Sequence, residues 1–111
     1  MTAERVFAAR LADVPQGRGH RVVVAGHRIA LFRIDDDIYA IGDRCSHAEA
    51  SLADGEVFDH AVECPRHGSE FDLRTGEPGA LPATRPVMAY TVEVDGDQIF
   101  VTLEPAEEDA S

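Results

Sequence analysis

Two short stretches constrain this chain more than anything else in it: Cys45-Ser46-His47 and Cys64-Pro65-Arg66-His67. Each places a thiol and an imidazole within a few residues of one another, and sixteen residues separate His47 from Cys64. The chain has 2 cysteines, and both fall in these boxes. Two sulfurs and two nitrogens presented as matched halves suit a metal centre with two unequal ends. A [2Fe–2S] cluster with thiolates on one iron and imidazoles on the other is such a centre. Cys₂His₂ is also a zinc set, although C-x-H is tight spacing for a single tetrahedral ion.

With 111 residues, the chain is expected to form a single domain over 1–103, with an acidic tail at 104–111 that frays. A domain of this length has little core to spare, so a bound metal centre would add to its stability. No apolar run approaches the roughly 18 residues of a membrane helix. No apolar stretch follows Met1-Thr2-Ala3-Glu4-Arg5 as it would in a signal peptide. The expected location is therefore the cytoplasm, where a disulfide between the two thiols is disfavoured.

The formal net charge is −11, the wrong sign for phosphate contacts, so nucleic acid is not an expected partner. Residues 43–77 hold nine acids against three arginines, a balance of −6. The candidate metal site thus lies in negative surface, which steers it towards a partner with a basic docking face. No interface signal such as an amphipathic helix stands out, and a monomer is expected.

The pattern reads as all-β. Expected strands cover 5–9, 21–25, 28–34, 38–41, 88–94 and 98–103, with turns at Gly26-His27 and Asp35-Asp36-Asp37. Asp95-Gly96-Asp97 is a hairpin signal, because glycine supplies the positive φ of a tight turn. Short strands separated by turn residues suggest a small antiparallel sandwich or barrel. Residues 42–86 differ: they contain both boxes, several Gly and Pro residues and few long apolar runs. This stretch reads as a loop-built subdomain inserted to bind the metal centre. Within it, short strands are expected at 61–63 and 71–73, a hairpin turn at Arg74-Thr75-Gly76-Glu77, and one helical turn at 49–53.

At these residues the sequence resembles the Rieske family, whose pattern is C-x-H followed at a similar distance by C-x-x-H. The match continues past the ligands, since the second box runs on as Gly68-Ser69-Glu70-Phe71-Asp72, which a zinc site leaves unaccounted for. Residues 79–86, G-A-L-P-A-T-R-P, look like the proline-containing loop that covers the cluster in that family, and this assigns Pro82 to it. The resemblance spans about residues 4–103. It implies one [2Fe–2S] cluster per chain, with Cys45 and Cys64 on one iron and His47 and His67 on the other. Each box would sit on its own loop, and each histidine would bind through Nδ1, leaving Nε2 near solvent as the electron exit.

Such ligation makes the irons unequal, and the class spans about −150 to +300 mV against about −400 mV for plant-type ferredoxins. The exposed imidazole edges are ionisable, so the potential is expected to fall as pH rises through their pKa. Respiratory and photosynthetic members of the family carry an extra cysteine in each box; Ala50 and Arg66 stand in those places here. Those members also direct two hydroxyls at the cluster sulfurs. Ser69 keeps the first, while Phe71 stands where the second, a tyrosine, would be. One fewer hydrogen bond to sulfur lowers the potential. These departures resemble the soluble Rieske-type ferredoxins of bacterial ring-hydroxylating dioxygenase systems.

The function this implies is that of a one-electron carrier. It would take an electron from a flavin-dependent reductase and deliver it to a terminal oxygenase. The chain is not expected to be an enzyme alone: there is no second domain and no His₂-carboxylate triad for oxygen activation. No Gly-rich phosphate loop is present, and no nucleophile–base pair lies outside the boxes. His20, His27 and His60 have no partner at ligand spacing and are expected at the surface; Asp59 and Glu63 have no support as a catalytic pair. Two other readings share the site. One is the Rieske-like small subunit of a nitrite reductase, although many members of that group lack the ligands. The other is a redox or binding partner of iron–sulfur assembly proteins.

Overall fold

The structure, a computed structural model, describes residues 4–44, 50–66, 69–80 and 86–103. Among these, ten strands follow in order: β1 (Glu4–Arg10), β2 (Gly19–Val24), β3 (His27–Ile34), β4 (Asp37–Gly42), β5 (Glu56–Phe58), β6 (Ala61–Glu63), β7 (Glu70–Asp72), β8 (Pro78–Ala80), β9 (Ala89–Asp95) and β10 (Gln98–Leu103). They form a six-stranded sheet, ordered β1-β10-β9-β4-β3-β2, and a four-stranded sheet, ordered β5-β6-β7-β8. Every strand pairing is antiparallel. The larger sheet curls until its edge strands β1 and β2 meet, which gives the barrel-like form. The fold class is therefore the expected one.

Burial explains the strands. On β10 the alternation of Ile99, Val101 and Leu103 against Gln98, Phe100 and Thr102 puts one apolar row inside the barrel. β3 is different, since Ile29, Ala30, Leu31 and Phe32 are each 0% exposed. Ile29 and Leu31 face the barrel interior with Ala9, Val24, Ile99 and Val101. Ala30 and Phe32 face a second core with Leu52, Val62, Cys64, Phe71 and Leu73. Two-sided burial requires a continuous apolar run, which is what Ile29-Ala30-Leu31-Phe32 supplies. β3 is thus the wall between the two cores.

The turns sit slightly off the expected places. Ala25 and Gly26, at φ 50° and 85°, connect β2 to β3, so His27 already belongs to β3. Two successive positive φ values give the mirror-image turn whose twist matches its strands. Asp35 and Asp36 connect β3 to β4, and Asp37 is a strand residue. In the last hairpin Gly96 and Asp97 form the turn, with Asp95 paired to Gln98.

In the smaller sheet each strand is 3 residues long. β6 lies where expected. β7 starts and ends one residue early, at Glu70–Asp72, and beyond it the Leu73 N–H keeps the same register by donating to the His60 carbonyl at 2.8 Å. β5 and β8 went unseen in the sequence, being short and, for β8, built on Pro78 and Gly79 at a sheet edge. The helical turn expected at 49–53 is a 3₁₀ turn at Leu52–Asp54; Glu49 lies outside the described residues. A second 3₁₀ turn covers Leu11–Asp13. No helix of the described residues is long and apolar enough to cross a membrane.

Candidate metal centre

The second box begins at Cys64, the residue after β6, and β7 resumes at Glu70. The ladder ends at the pair Glu63↔Glu70, and beyond it the Cys64 N–H donates to the Ser69 carbonyl at 2.6 Å. Strand alternation sends Val62 and Cys64 inward and Glu63 outward. Cys64 is 1% exposed and packs with Val62, Phe71 and Leu73 in the second core. Ser69 is fully buried, while Pro65 and Arg66 are exposed. Phe71, also fully buried, fills its place with hydrocarbon and brings no hydroxyl. His67 lies outside the described residues.

The first box follows β4. Cys45 and His47 lie outside the described residues, but the residues on both sides of the first box are described. Arg44 and Ser51 face each other across an isolated antiparallel bridge, and the Leu52 N–H donates to the Asp43 carbonyl at 2.6 Å. Asp43 is 0% exposed; its carboxylate accepts the Ser51 hydroxyl at 2.8 Å and the Ala53 N–H at 3.0 Å. These bonds explain why the helical turn begins at Leu52: Asp43 satisfies the amides at its start. Beyond the turn, a Cβ on Gly55 would stand 2.0 Å from the Glu63 carbonyl oxygen. The chain leaving the first box therefore runs against the residue that precedes Cys64. Leu52 and Ala50 also pack into the core that holds Cys64. The flanks of the two boxes are thus together at one end of the smaller sheet.

The segment expected to cover the site is tied at its exit to the turn that follows β7 and to the end of β4. The Val87 N–H donates to the Gly76 carbonyl at 2.8 Å, and Gly42, the last residue of β4, donates its N–H to the Met88 carbonyl at 2.8 Å. Gly76 sits at φ 81°, and a Cβ there would meet the Val87 oxygen at 2.1 Å, so only glycine fits the turn before this segment. Pro82 lies outside the described residues.

The charges around the site divide into three kinds. Asp43 is interior. Asp72 accepts three hydrogen bonds from Arg74: from its backbone N–H at 2.7 Å, Nε at 3.1 Å and Nη2 at 3.0 Å. The guanidinium holds the Asp72 carboxyl below its ordinary value of 3.8. Glu56, Glu63 and Glu70 lie directly opposite one another across β5, β6 and β7. They share the face turned away from Val62 and Phe71, and none has an ion pair among the described residues. Like charges directly opposite are unfavourable in a sheet. The histidines outside the boxes are not gathered at this end. His27 is exposed, His20 is half-buried, and His60 is also half-buried, edge-on to Tyr39 at the far end of β6.

Asp43 and Ser51 were missed by sequence reasoning. In a chain with 21 acids, Asp43 counts as one more surface charge. Its only local signal is position, between an apolar strand and a ligand box.

A donor set of two thiols and two imidazoles fits a mixed-ligand iron–sulfur cluster, and the buried, apolar setting of Cys64 fits a thiolate held by iron rather than water. The protein class defined by this fold and these boxes is that of a Rieske-type electron carrier with a [2Fe–2S] cluster. The model of the Rieske [2Fe-2S] domain matches residues 4–102, and the chain belongs to that family. It is 45% identical over 104 residues to the 3-phenylpropionate/cinnamic acid dioxygenase ferredoxin subunit of Escherichia coli (strain K12), covering 93% of this chain and 97% of that one. Among solved structures, it matches the ferredoxin of carbazole 1,9a-dioxygenase from Nocardioides aromaticivorans IC177 with a TM-score of 0.84 and 42% identity, over 94% of this chain and 100% of that one. It also matches a chain in the complex of reduced oxygenase and oxidised ferredoxin of carbazole 1,9a-dioxygenase, with a TM-score of 0.83 and 34% identity, over 90% and 94% of the two chains.

Proposed function

We propose that this chain is the ferredoxin component of a dioxygenase system, carrying one electron at a time from a flavin-dependent reductase to a terminal oxygenase in the cytoplasm. The observation that carries this reading is the 45% identity, over 93% of this chain, with a dioxygenase ferredoxin subunit, with both boxes intact in this sequence. Cys45 and Cys64 hold one iron, and His47 and His67 hold the other. The cluster these residues would hold would supply a single-electron couple. Cys64 is kept from solvent by Val62, Phe71 and Leu73, Ser69 offers a hydroxyl beside it, and Pro82 belongs to the covering loop.

The partners meet an acidic rim. The row Glu56, Glu63 and Glu70 has no ion pair among the described residues, its members Glu63 and Glu70 adjoin Cys64 and Ser69 in the chain, and it supports docking to a basic face. Two measurements test the reading. Dithionite-reduced protein is expected to give a rhombic EPR signal with average g below the free-electron value, with two irons and no zinc per chain. Electron delivery to a dioxygenase terminal component is expected to slow with rising salt, and to slow and lose that salt dependence in an E56Q/E63Q/E70Q variant. One zinc per chain and a silent spectrum would remove the electron-carrier reading. A competent cluster that serves only a nitrite reductase or a cluster-assembly protein would move the chain to that system.

A further inference from the structure

Asp43 is the only fully buried carboxylate among the described residues, and electron transfer as described does not use it. Burying an ionised carboxylate is unfavourable unless hydrogen bonds and a counter-charge compensate. Here both kinds are present. The Ser51 hydroxyl donates to the two oxygens at 2.8 Å each, and the Ala53 N–H adds a bond to Oδ1 at 3.0 Å. Arg28 on β3 brings Nη2 to 3.9 Å from Oδ2. Ser51 in turn accepts Arg21 Nη1 from β2 at 2.9 Å, and Arg21 reaches Asp54 at 3.9 Å. The backbone of Asp43 is equally committed, its N–H to the Arg28 carbonyl at 3.0 Å and its carbonyl to the Leu52 N–H. Gly19, at the start of β2, lies so close that a Cβ would stand 2.6 Å from the Ala53 backbone. One residue therefore ties both ends of the first-box loop to each other and to the β2–β3 hairpin.

We propose, resting on the reading that this loop carries Cys45 and His47 as ligands, that Asp43 is the positioning residue of the first box. The chain Arg21–Ser51–Asp43–Arg28 fixes the loop on β2 and β3, and the buried charge disfavours the reduced cluster.

The test uses the holo protein and four variants. D43A removes both latch and charge, and its cluster is expected to be lost about tenfold faster or more. D43N keeps an acceptor for the Ala53 N–H and a polar partner for Ser51, so it rescues retention to within about twofold of the parent. Having lost the negative charge, D43N is expected to favour the reduced state about tenfold more, which is 59 mV for a one-electron couple. S51A severs the link to Arg21 and is expected to lose the cluster several-fold faster. V101A lies in the barrel core and serves as the control: it lowers the melting temperature and leaves potential and EPR spectrum unchanged.

Cluster lifetime, spectrum and potential in D43A or S51A equal to those of the parent would overturn the proposal. So would cluster loss in V101A as fast as in D43A at an equal drop in melting temperature, since the effect would then be global stability. An unmoved potential in D43N would overturn the electrostatic half. A parent protein without the rhombic signal would instead bring down the cluster reading itself, before any variant is compared.

Discussion

The two sheets solve stability in opposite ways. The six-stranded sheet pairs long strands, closes on itself and encloses its own core of Ala9, Val24, Ile29, Leu31, Ile99 and Val101. The four-stranded sheet has strands of 3 residues and cannot enclose anything. It leans Val62, Phe71 and Leu73 on the back of β3, and the described flanks of the two boxes come together at one end of it. A sheet so short is marginal unless packed on something else. The larger sheet thus encloses a core of its own, while the smaller one buries its apolar face against β3 and β4 of the larger. The flanks of the first box meet the scaffold at Asp43, whose N–H donates to the Arg28 carbonyl on β3 and whose carbonyl accepts the Leu52 N–H, and the chain beyond them passes close to β6 at Gly55.

Neighbouring residues on β3 offer the sharpest way to break this comparison. Phe32→Ala and Leu31→Ala should each destabilise by about 2–5 kcal/mol, because each empties a fully buried site. Only Phe32→Ala, on the face towards Cys64, should also shorten cluster lifetime; equal lifetimes in the two variants would mean that the cores are not separable. Metal removal comes next. Stripping the iron should raise hydrogen exchange at the Val62 and Phe71 amides by about two orders of magnitude, while the Val101 amide changes little. A uniform rise across both sheets would show one cooperative unit.

A weaker effect concerns acid. Because Arg74 holds the folded pKa of Asp72 below 3.8, the ionised form stabilises the fold. That contribution is complete above the unfolded value and is lost as pH falls through the lower folded one. Asp72→Asn should therefore be slightly less stable than the parent at neutral pH and should lose that difference in strong acid, as read by urea melts across pH. The effect is small because Arg74 is largely exposed. The smallest change lies on the scaffold, in the turn between β2 and β3. Ala25 holds φ 50° before Gly26, and Ala25→Asn should stabilise by about 0.5–1 kcal/mol with no change in cluster spectrum.

Much of this molecule is legible in the sequence because its signals are local. Ligand spacing, the alternation on β10 and the glycine at Gly96 each need only a few neighbouring residues to be read, and together with the Gly68-Ser69 continuation they carry the family. The tertiary structure decided what depends on distant partners. Whether Ile29-Ala30-Leu31-Phe32 is a half-buried or a fully buried strand depends on what packs behind it, and the smaller sheet does. Whether Glu56, Glu63 and Glu70 are scattered acids or one row depends on register, which β5 and β6 set only by pairing. Whether Asp43 is a surface charge or an interior latch depends on Ser51, Ala53 and Arg28 arriving around it. Local geometry is written in adjacent residues, whereas burial and charge pairing exist only once segments far apart in the chain have met.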